Sequence, residues 1–268
     1  MDPLERIAAA LERLSPPPPA AVPLDAHPAY LWRDDALRVA DRFAPLPIDL
    51  LIGVDRQKAT LIENLTRFGR GAAAQDVLLW GARGTGKSAL VKSAIAAVQV
   101  ATDALALVEV ATLDSLPRLF GMLAPVPRFF ALFIDDLGFD MPADARRLRS
   151  LLEGGAEARP ANVRLLVTAN RRHLVPRDIA EQQSAINPRD SADDHLALAD
   201  RFGISLGFHA LDQDGYLAIV AAYAARYGLS VEPAAAIEWA TRRGSRSGRI
   251  AWQYIVDVAG RAGRSLDV

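Results

Sequence analysis

Gly81-Ala82-Arg83-Gly84-Thr85-Gly86-Lys87-Ser88 has the spacing G-x-x-x-x-G-K-[S/T], and its reading decides the fold. The apolar run before it, Asp76-Val77-Leu78-Leu79-Trp80, predicts a short buried strand. The run after it, Ala89 to Val98, predicts a helix. Strand, glycine-rich loop and helix in that order form a phosphate-binding loop. Glycines let the backbone fold tightly, including positive-φ positions. The loop N–H groups then converge on an anion at the positive end of the helix. Lys87 is placed to reach the β- and γ-phosphates, and the Ser88 hydroxyl to ligate Mg²⁺. The bland alternative, a chance glycine-rich turn, explains neither the flanking strand nor the partners that follow.

Downstream, Phe129-Phe130-Ala131-Leu132-Phe133-Ile134 is a continuous apolar strand that delivers Asp135 and Asp136 at its end. Ligand sites of open α/β sheets lie at that edge. Asp135 suits Mg²⁺, directly or through water. Asp136 suits orienting or deprotonating a water. Asn170 ends a further strand, Val163 to Thr168, where a neutral amide holds a water or touches the γ-phosphate. An ordinary strand-end Asn in a turn stands beside that reading. With Leu105–Val110 and Ile204–Phe208, the strands number five. Helices over 55–69, 113–123 and 143–158 alternate with them. Near-continuous apolar strands of this kind imply an α/β fold: a five-stranded parallel sheet covered on both faces.

Beyond this core the pattern changes. From Asp212 onward helices fit 213–227, 233–243 and 248–262, with Gly228 and Gly244 at C-cap positions and Pro233 at a helix start. Asp212-x-Asp214-Gly215 reads as a helix cap rather than a calcium loop. At the other end, Asp2, Pro3 and Glu5 open a helix over 2–14. The tract Ser15-Pro16-Pro17-Pro18-Pro19 predicts an extended linker, and 29–43 a second helix. The expected organisation is therefore N-terminal helices with a proline-rich linker over 1–45, the α/β core over 46–211 and a small all-helical C-terminal domain over 212–268. Residues 171–199 are polar and without clear periodicity.

The totals set bounds. The chain has 268 residues, 51% hydrophobic, with 31 basic against 32 acidic side chains and a formal net charge of -1. No whole-chain field recruits nucleic acid or a membrane surface. There is no cysteine, which excludes disulfides and thiolate metal sites. The four histidines are scattered without metal-ligand spacing. No apolar run reaches the roughly 20 residues of a membrane span, and the N-terminus lacks a signal-peptide core. The expectation is a cytoplasmic protein without membrane contact.

These motifs together resemble an AAA+ ATPase from about Leu51 to the C-terminus, most closely an uncharacterised bacterial family catalogued as domain of unknown function 815. The resemblance rests on Leu79 to Ser88, Asp135-Asp136-Leu137, Leu152-Glu153-Gly154, Ala169-Asn170-Arg171-Arg172-His173-Leu174, Asp200-Arg201-Phe202-Gly203 and Ser247-Gly248-Arg249. It implies ATP and Mg²⁺ as cofactors, bound by Gly81 through Ala89, with Lys87, Asp135, Asp136, Asn170, Arg201 and Arg249 as catalytic residues. It implies that Arg201 is an arginine finger reaching a neighbouring subunit's nucleotide, hence a homo-oligomer, a hexameric ring being one form. A local ion pair of Arg201 with Asp200 is the competing reading. Arg249 resembles the arginine that senses the γ-phosphate from the helical lid, with Arg246 as its competitor. Ile52-Gly53-Val54 resembles the segment that packs on adenine.

One departure stands out. Most AAA+ ATPases carry Glu after the first acidic residue, whereas this chain has Asp136, shorter by one methylene. Catalysis is sensitive to displacement on the ångström scale. Glu153 is an alternative base. Two functions follow: an ATPase that remodels a protein or nucleic-acid client, or a nucleotide-gated loader or adaptor that hydrolyses ATP poorly. The arginines of 171–199 give that segment a basic character, largely cancelled by its acids. A small-molecule kinase is disfavoured, because the helical part follows the core rather than interrupting it.

Overall fold

All five apolar runs form strands, and two more join them. The structure is a computed structural model that describes residues 2–3, 5–6, 22–137, 148–152, 159–170 and 201–266. Its strands are β1 (Ala29–Arg33), β2 (Ala36–Val39), β3 (Val77–Gly81), β4 (Leu105–Val110), β5 (Phe129–Ile134), β6 (Val163–Asn170) and β7 (Ile204–Phe208). They make a seven-stranded sheet in the order β2-β1-β4-β5-β6-β3-β7. Every neighbouring pair is parallel except β1 with β2.

The extra strands correct two expectations: the sheet has seven strands rather than five, and a β-hairpin replaces the helix expected over 29–43. Tyr30 and Trp32 are fully buried, while Leu31 and Arg33, alternating with them, face solvent. That alternation is the period of a strand. Asp34 and Asp35 both take positive φ, 53° and 55°, in the two-residue loop between Arg33 and its partner Ala36. A turn with two positive φ values matches strand twist, but it is usually signalled by Asn-Gly or Asp-Gly. Residues 29–39 are thus part of the main sheet, where β1 lies on β4.

Strand alternation divides the core into two layers. Val77 and Leu79 of β3, with Ala131 and Phe133 of β5, face helices α1 (Asp55–Gly69) and α2 (Lys87–Gln99). Leu78, Phe130, Leu132 and Ile134 face the other way, against Trp32 and Leu116, Leu119 and Leu123 of α3 (Leu116–Leu123). Residues 148–152 are helical on this second layer, with Leu148 buried in it. The remainder of the helix expected over 143–158 lies outside the described residues, as do 171–199, most of the helix expected over 2–14 and the proline tract. Within that first helix, the Asp2 N–H donates to Glu5 Oε2 at 3.1 Å.

Three further helices, α4 (Gln213–Tyr227), α5 (Pro233–Arg242) and α6 (Gly248–Arg261), pack around a core of their own. Asp212 caps α4 by accepting the Gly215 N–H at 2.8 Å, and Gly228 closes it at φ 60°. Leu50, in the short turn Ile48–Leu50, inserts into this helical core. Segment 46–54 is therefore the seam between sheet and helical trio.

Candidate functional site

The glycine-rich loop leaves the C-terminal end of β3 at Gly81, with φ 142°, and turns into α2 through Gly86, with φ 95°. The Lys87 ammonium is buried and donates to the carbonyls of Gly81 and Ala82, each at 2.8 Å. Burial holds its pKa below the usual lysine value; Asp136 and Asp135 oppose that shift, and Arg83 adds to it. An incoming anion strengthens the charged form of such a group. Thr85 Oγ1 donates to the Ala82 carbonyl at 2.8 Å and ties the loop together.

Sheet order brings the acidic residues alongside. Strand β5 is separated from β3 by β6 alone. Asp135 Oδ1 accepts from Ser88 Oγ at 2.6 Å and from Thr168 Oγ1 at 2.6 Å. Thr168 Oγ1 also accepts the Asp136 N–H at 2.7 Å. Asp136 has φ 50°, a left-handed conformation that Asp tolerates better than most residues. Its Oδ1 accepts from Asn170 Nδ2 at 2.6 Å, and its Oδ2 pairs with Arg83 Nη2 at 3.3 Å. Loop, both aspartates and Asn170 are thus one connected cluster.

The donor set suits Mg²⁺ and a polyphosphate. Ser88 Oγ and an Asp135 carboxylate oxygen are hard oxygen ligands already side by side. Magnesium takes one or two carboxylates plus phosphate oxygens rather than an all-protein cage. Among the described residues, no group of three His, Cys, Asp or Glu gathers that could hold a metal ion by itself.

Beside the cluster lies an open cleft of ≈ 270 Å³. Gly84 to Ala89 form one wall, Ile52 and Val54 a second, and Tyr223, Arg249 and Trp252 of the helical trio a third. Gly53 sits between the two apolar residues at φ 77°. The cleft thus joins the backbone of the glycine-rich loop to an apolar, aromatic surface. At the seam, the Gly248 N–H donates to the Gly84 carbonyl at 3.2 Å, so the start of α6 rests on the loop. Arg249 lines the cleft, and Arg246 is not among its lining residues.

Arg201 stands apart from this assembly. It precedes β7, whose first residue Ile204 pairs with Val77 and whose last, Phe208, pairs with Gly81. Arg201 is therefore at the end of the sheet opposite the loop, more than about 13 Å away at strand rise. Its partner in the competing reading, Asp200, lies outside the described residues, as does Glu153.

Several members of the site were not singled out by sequence reasoning. Thr168 joins Asp135 to the Asp136 backbone, and its only signal is a hydroxyl in an apolar strand, two residues before Asn170. Tyr223 and Trp252 reach the cleft only through packing of the helical trio, and no local pattern marks them.

Comparison with known proteins places this geometry in a family. A model described as "Protein of unknown function (DUF815)" matches residues 25–262. Comparison with curated proteins gave no match. Among solved structures, the Thermotoga maritima RuvB Holliday junction branch migration motor is similar with 19% identity and a TM-score of 0.51, covering 83% of this chain and 68% of its own. Aeropyrum pernix ORC2, in ADPNP–ADP complexes, has 17% identity and a TM-score of 0.55 over 85% of this chain and 67% of its own. Aeropyrum pernix ORC1, solved in complex with DNA, has 15% identity and a TM-score of 0.56 over 85% and 68%. The chain shares the fold of these proteins.

Proposed function

Because the chain belongs to the DUF815 family, whose description names no activity, we propose its role from the site: an ATP-binding AAA+ protein, a Mg²⁺-dependent ATPase that couples nucleotide turnover to remodelling of a macromolecular client. The observation that carries this is the single cluster joining Lys87, Ser88, Asp135, Asp136 and Asn170, set beside a cleft walled partly by the helical trio. Lys87 and the loop N–H groups hold the phosphates. Ser88 and Asp135 hold Mg²⁺, which would neutralise phosphate charge. Asp136 and Asn170, 2.6 Å apart, orient the attacking water. The base packs between Ile52, Val54 and the aromatic wall.

Residues 212–268 act as the lid in this reading. Arg249 meets the γ-phosphate from α6, and the bond from Gly248 to Gly84 makes lid position sensitive to the loop. A change of phosphate state then becomes a domain motion. Arg201 is too far from its own loop to serve it, which favours action on a neighbouring copy and hence a ring such as a hexamer. A guanidinium suits that task, being always charged and bidentate.

A specific observation favours the second reading, a nucleotide-gated loader or adaptor with weak hydrolysis. The short Asp136 carboxylate is engaged on both oxygens, by Asn170 and Arg83. A nucleic-acid client has a precedent in the neighbour solved with DNA; a protein client remains the other class. No helix among the described residues is long and apolar enough to cross a membrane, and the proposed setting is the cytoplasm.

Phosphate release with Mg²⁺ and ATP, with and without DNA, tests the reading against Lys87→Ala. Turnover that disappears in Lys87→Ala supports the ATPase. Tight ATP binding with negligible turnover under all conditions transfers support to the adaptor. Activity that survives Lys87→Ala overturns both.

A further inference from the structure

The pair Arg83–Asp136 has no role in a simple phosphate cradle. Asp136 is held in its left-handed conformation from three sides: Thr168 Oγ1 on its N–H at 2.7 Å, Asn170 on Oδ1 at 2.6 Å and Arg83 on Oδ2 at 3.3 Å. Two of these partners sit on the same rigid strand, β6. The third sits on the loop that receives phosphate. Arg83 and Asp136 both act on the Lys87 charge, in opposite senses, so all three belong to one electrostatic unit.

The pair is also easily broken. The Arg83 side chain is 76% exposed and that of Asp136 55%. Ion pairs at such exposed sites contribute little. A terminal phosphate carries more charge than one carboxylate and offers a bidentate guanidinium more acceptor oxygens. A nucleoside diphosphate places no phosphate beyond Lys87, so it leaves the pair intact. A triphosphate places one there and competes with Asp136 for Arg83.

Building on the nucleotide-binding reading above, we infer that Arg83 is the residue that discriminates nucleoside triphosphate from diphosphate, by exchanging Asp136 for the terminal phosphate. The same exchange leaves Asp136 Oδ2 unpaired beside the phosphate, where it is free to accept a hydrogen bond from water. Loading and release of the carboxylate are one event, read from the last phosphate group.

The test is a double-mutant cycle on the ratio of affinities for Mg²⁺-β,γ-imido-ATP and MgADP, measured by calorimetry. Arg83→Ala lowers the ratio about tenfold, within the range of ordinary coupling between sites. Arg83→Lys, which keeps the charge without the planar fork, retains part of it. Asp136→Asn raises the ratio severalfold in the Arg83 protein, because the competitor is weakened, and has no effect in Arg83→Ala. Both side chains are mostly exposed, so these variants fold. A ratio within twofold of wild type in Arg83→Ala, including equal losses for both nucleotides, overturns the inference. So does an Asp136→Asn effect that persists undiminished without Arg83. Wild-type protein that binds neither nucleotide overturns the nucleotide reading itself, a distinct outcome.

Discussion

Gly81→Ala isolates the contact that seats the glycine-rich loop on the sheet. Gly81 is paired with Phe208 across β3 and β7 and has φ 142°. A Cβ at this position stands 2.0 Å from the Phe208 carbonyl oxygen and 2.8 Å from its carbon. Ordinary contact begins at 3.4 Å, so β7 must retreat by about 1.4 Å or the Gly81 peptide must rotate. The obstacle is backbone held in a ladder, not the end of a flexible side chain. A positive φ of this kind costs about 1–3 kcal/mol for a residue with Cβ. Overpacking adds about 1–3 kcal/mol, and the stiffer unfolded chain returns about 0.4–1 kcal/mol. The net loss is about 2–5 kcal/mol, a fall in melting temperature on the order of 5–15 °C for a chain of this size. A thermal melt followed by circular dichroism reads it directly. Gly121→Ala is the control. That glycine is exposed in α3, nothing lies within 4 Å of its added Cβ, and the change is expected to stabilise by about 0.5–1 kcal/mol. If Gly81→Ala melts within about 2 °C of wild type, β7 is not registered against Gly81 and the reasoning fails.

Three other outcomes are expected. Thr168→Val keeps the shape but removes the oxygen bridging Asp135 and the Asp136 N–H; it lowers Mg²⁺-dependent phosphate release at least tenfold and costs about 1–3 kcal/mol in urea denaturation, whereas Thr168→Ser restores most of both. Burial, then the neighbouring Tyr254, pushes the Tyr216 phenol up to about 12. The folded chain therefore keeps this proton between the ordinary value near 10 and about 12, and the stability it contributes is lost as pH rises through that window; Tyr216→Phe flattens the alkaline decline measured by denaturation. Finally, mixing inactive Arg201→Ala with inactive Lys87→Ala restores part of the phosphate release, because one copy supplies the loop and the other the arginine; a mixture as silent as its components counts against action between copies.

Much of the core was legible because each feature is local. The spacing from Gly81 to Ser88 carries its own backbone geometry, and the structure puts positive φ at Gly81, Gly84 and Gly86. Five strands are continuous apolar runs, since a sheet covered on both faces leaves no polar side to interrupt them. The three C-terminal helices announce their ends through Asp212, Gly228, Pro233 and Gly244. The hairpin at 29–39 was missed for an equally local reason: Asp34-Asp35 makes a turn that is ordinarily made by glycine. At the start of α1, Val54 rather than the acidic Asp55 holds the N-cap position, and Asp55 pairs with Lys58 in the first turn at 2.7 Å.

The amino-acid sequence by itself determined the glycine-rich loop, the two aspartates and Asn170, because their spacing and their positions at strand ends specify how each backbone segment folds. Only the tertiary structure decided which of them meet. Strand order sets β6 between β3 and β5, and that alone makes Thr168 a bridge, ties Asp136 to Asn170 and lays Arg83 against it. Packing of the helical trio on segment 46–54 built the aromatic wall of the cleft from residues with no motif. Sheet direction sent Arg201 to the far end. Contacts between strands distant in sequence arise from how whole layers bury their apolar faces, and no local pattern encodes them.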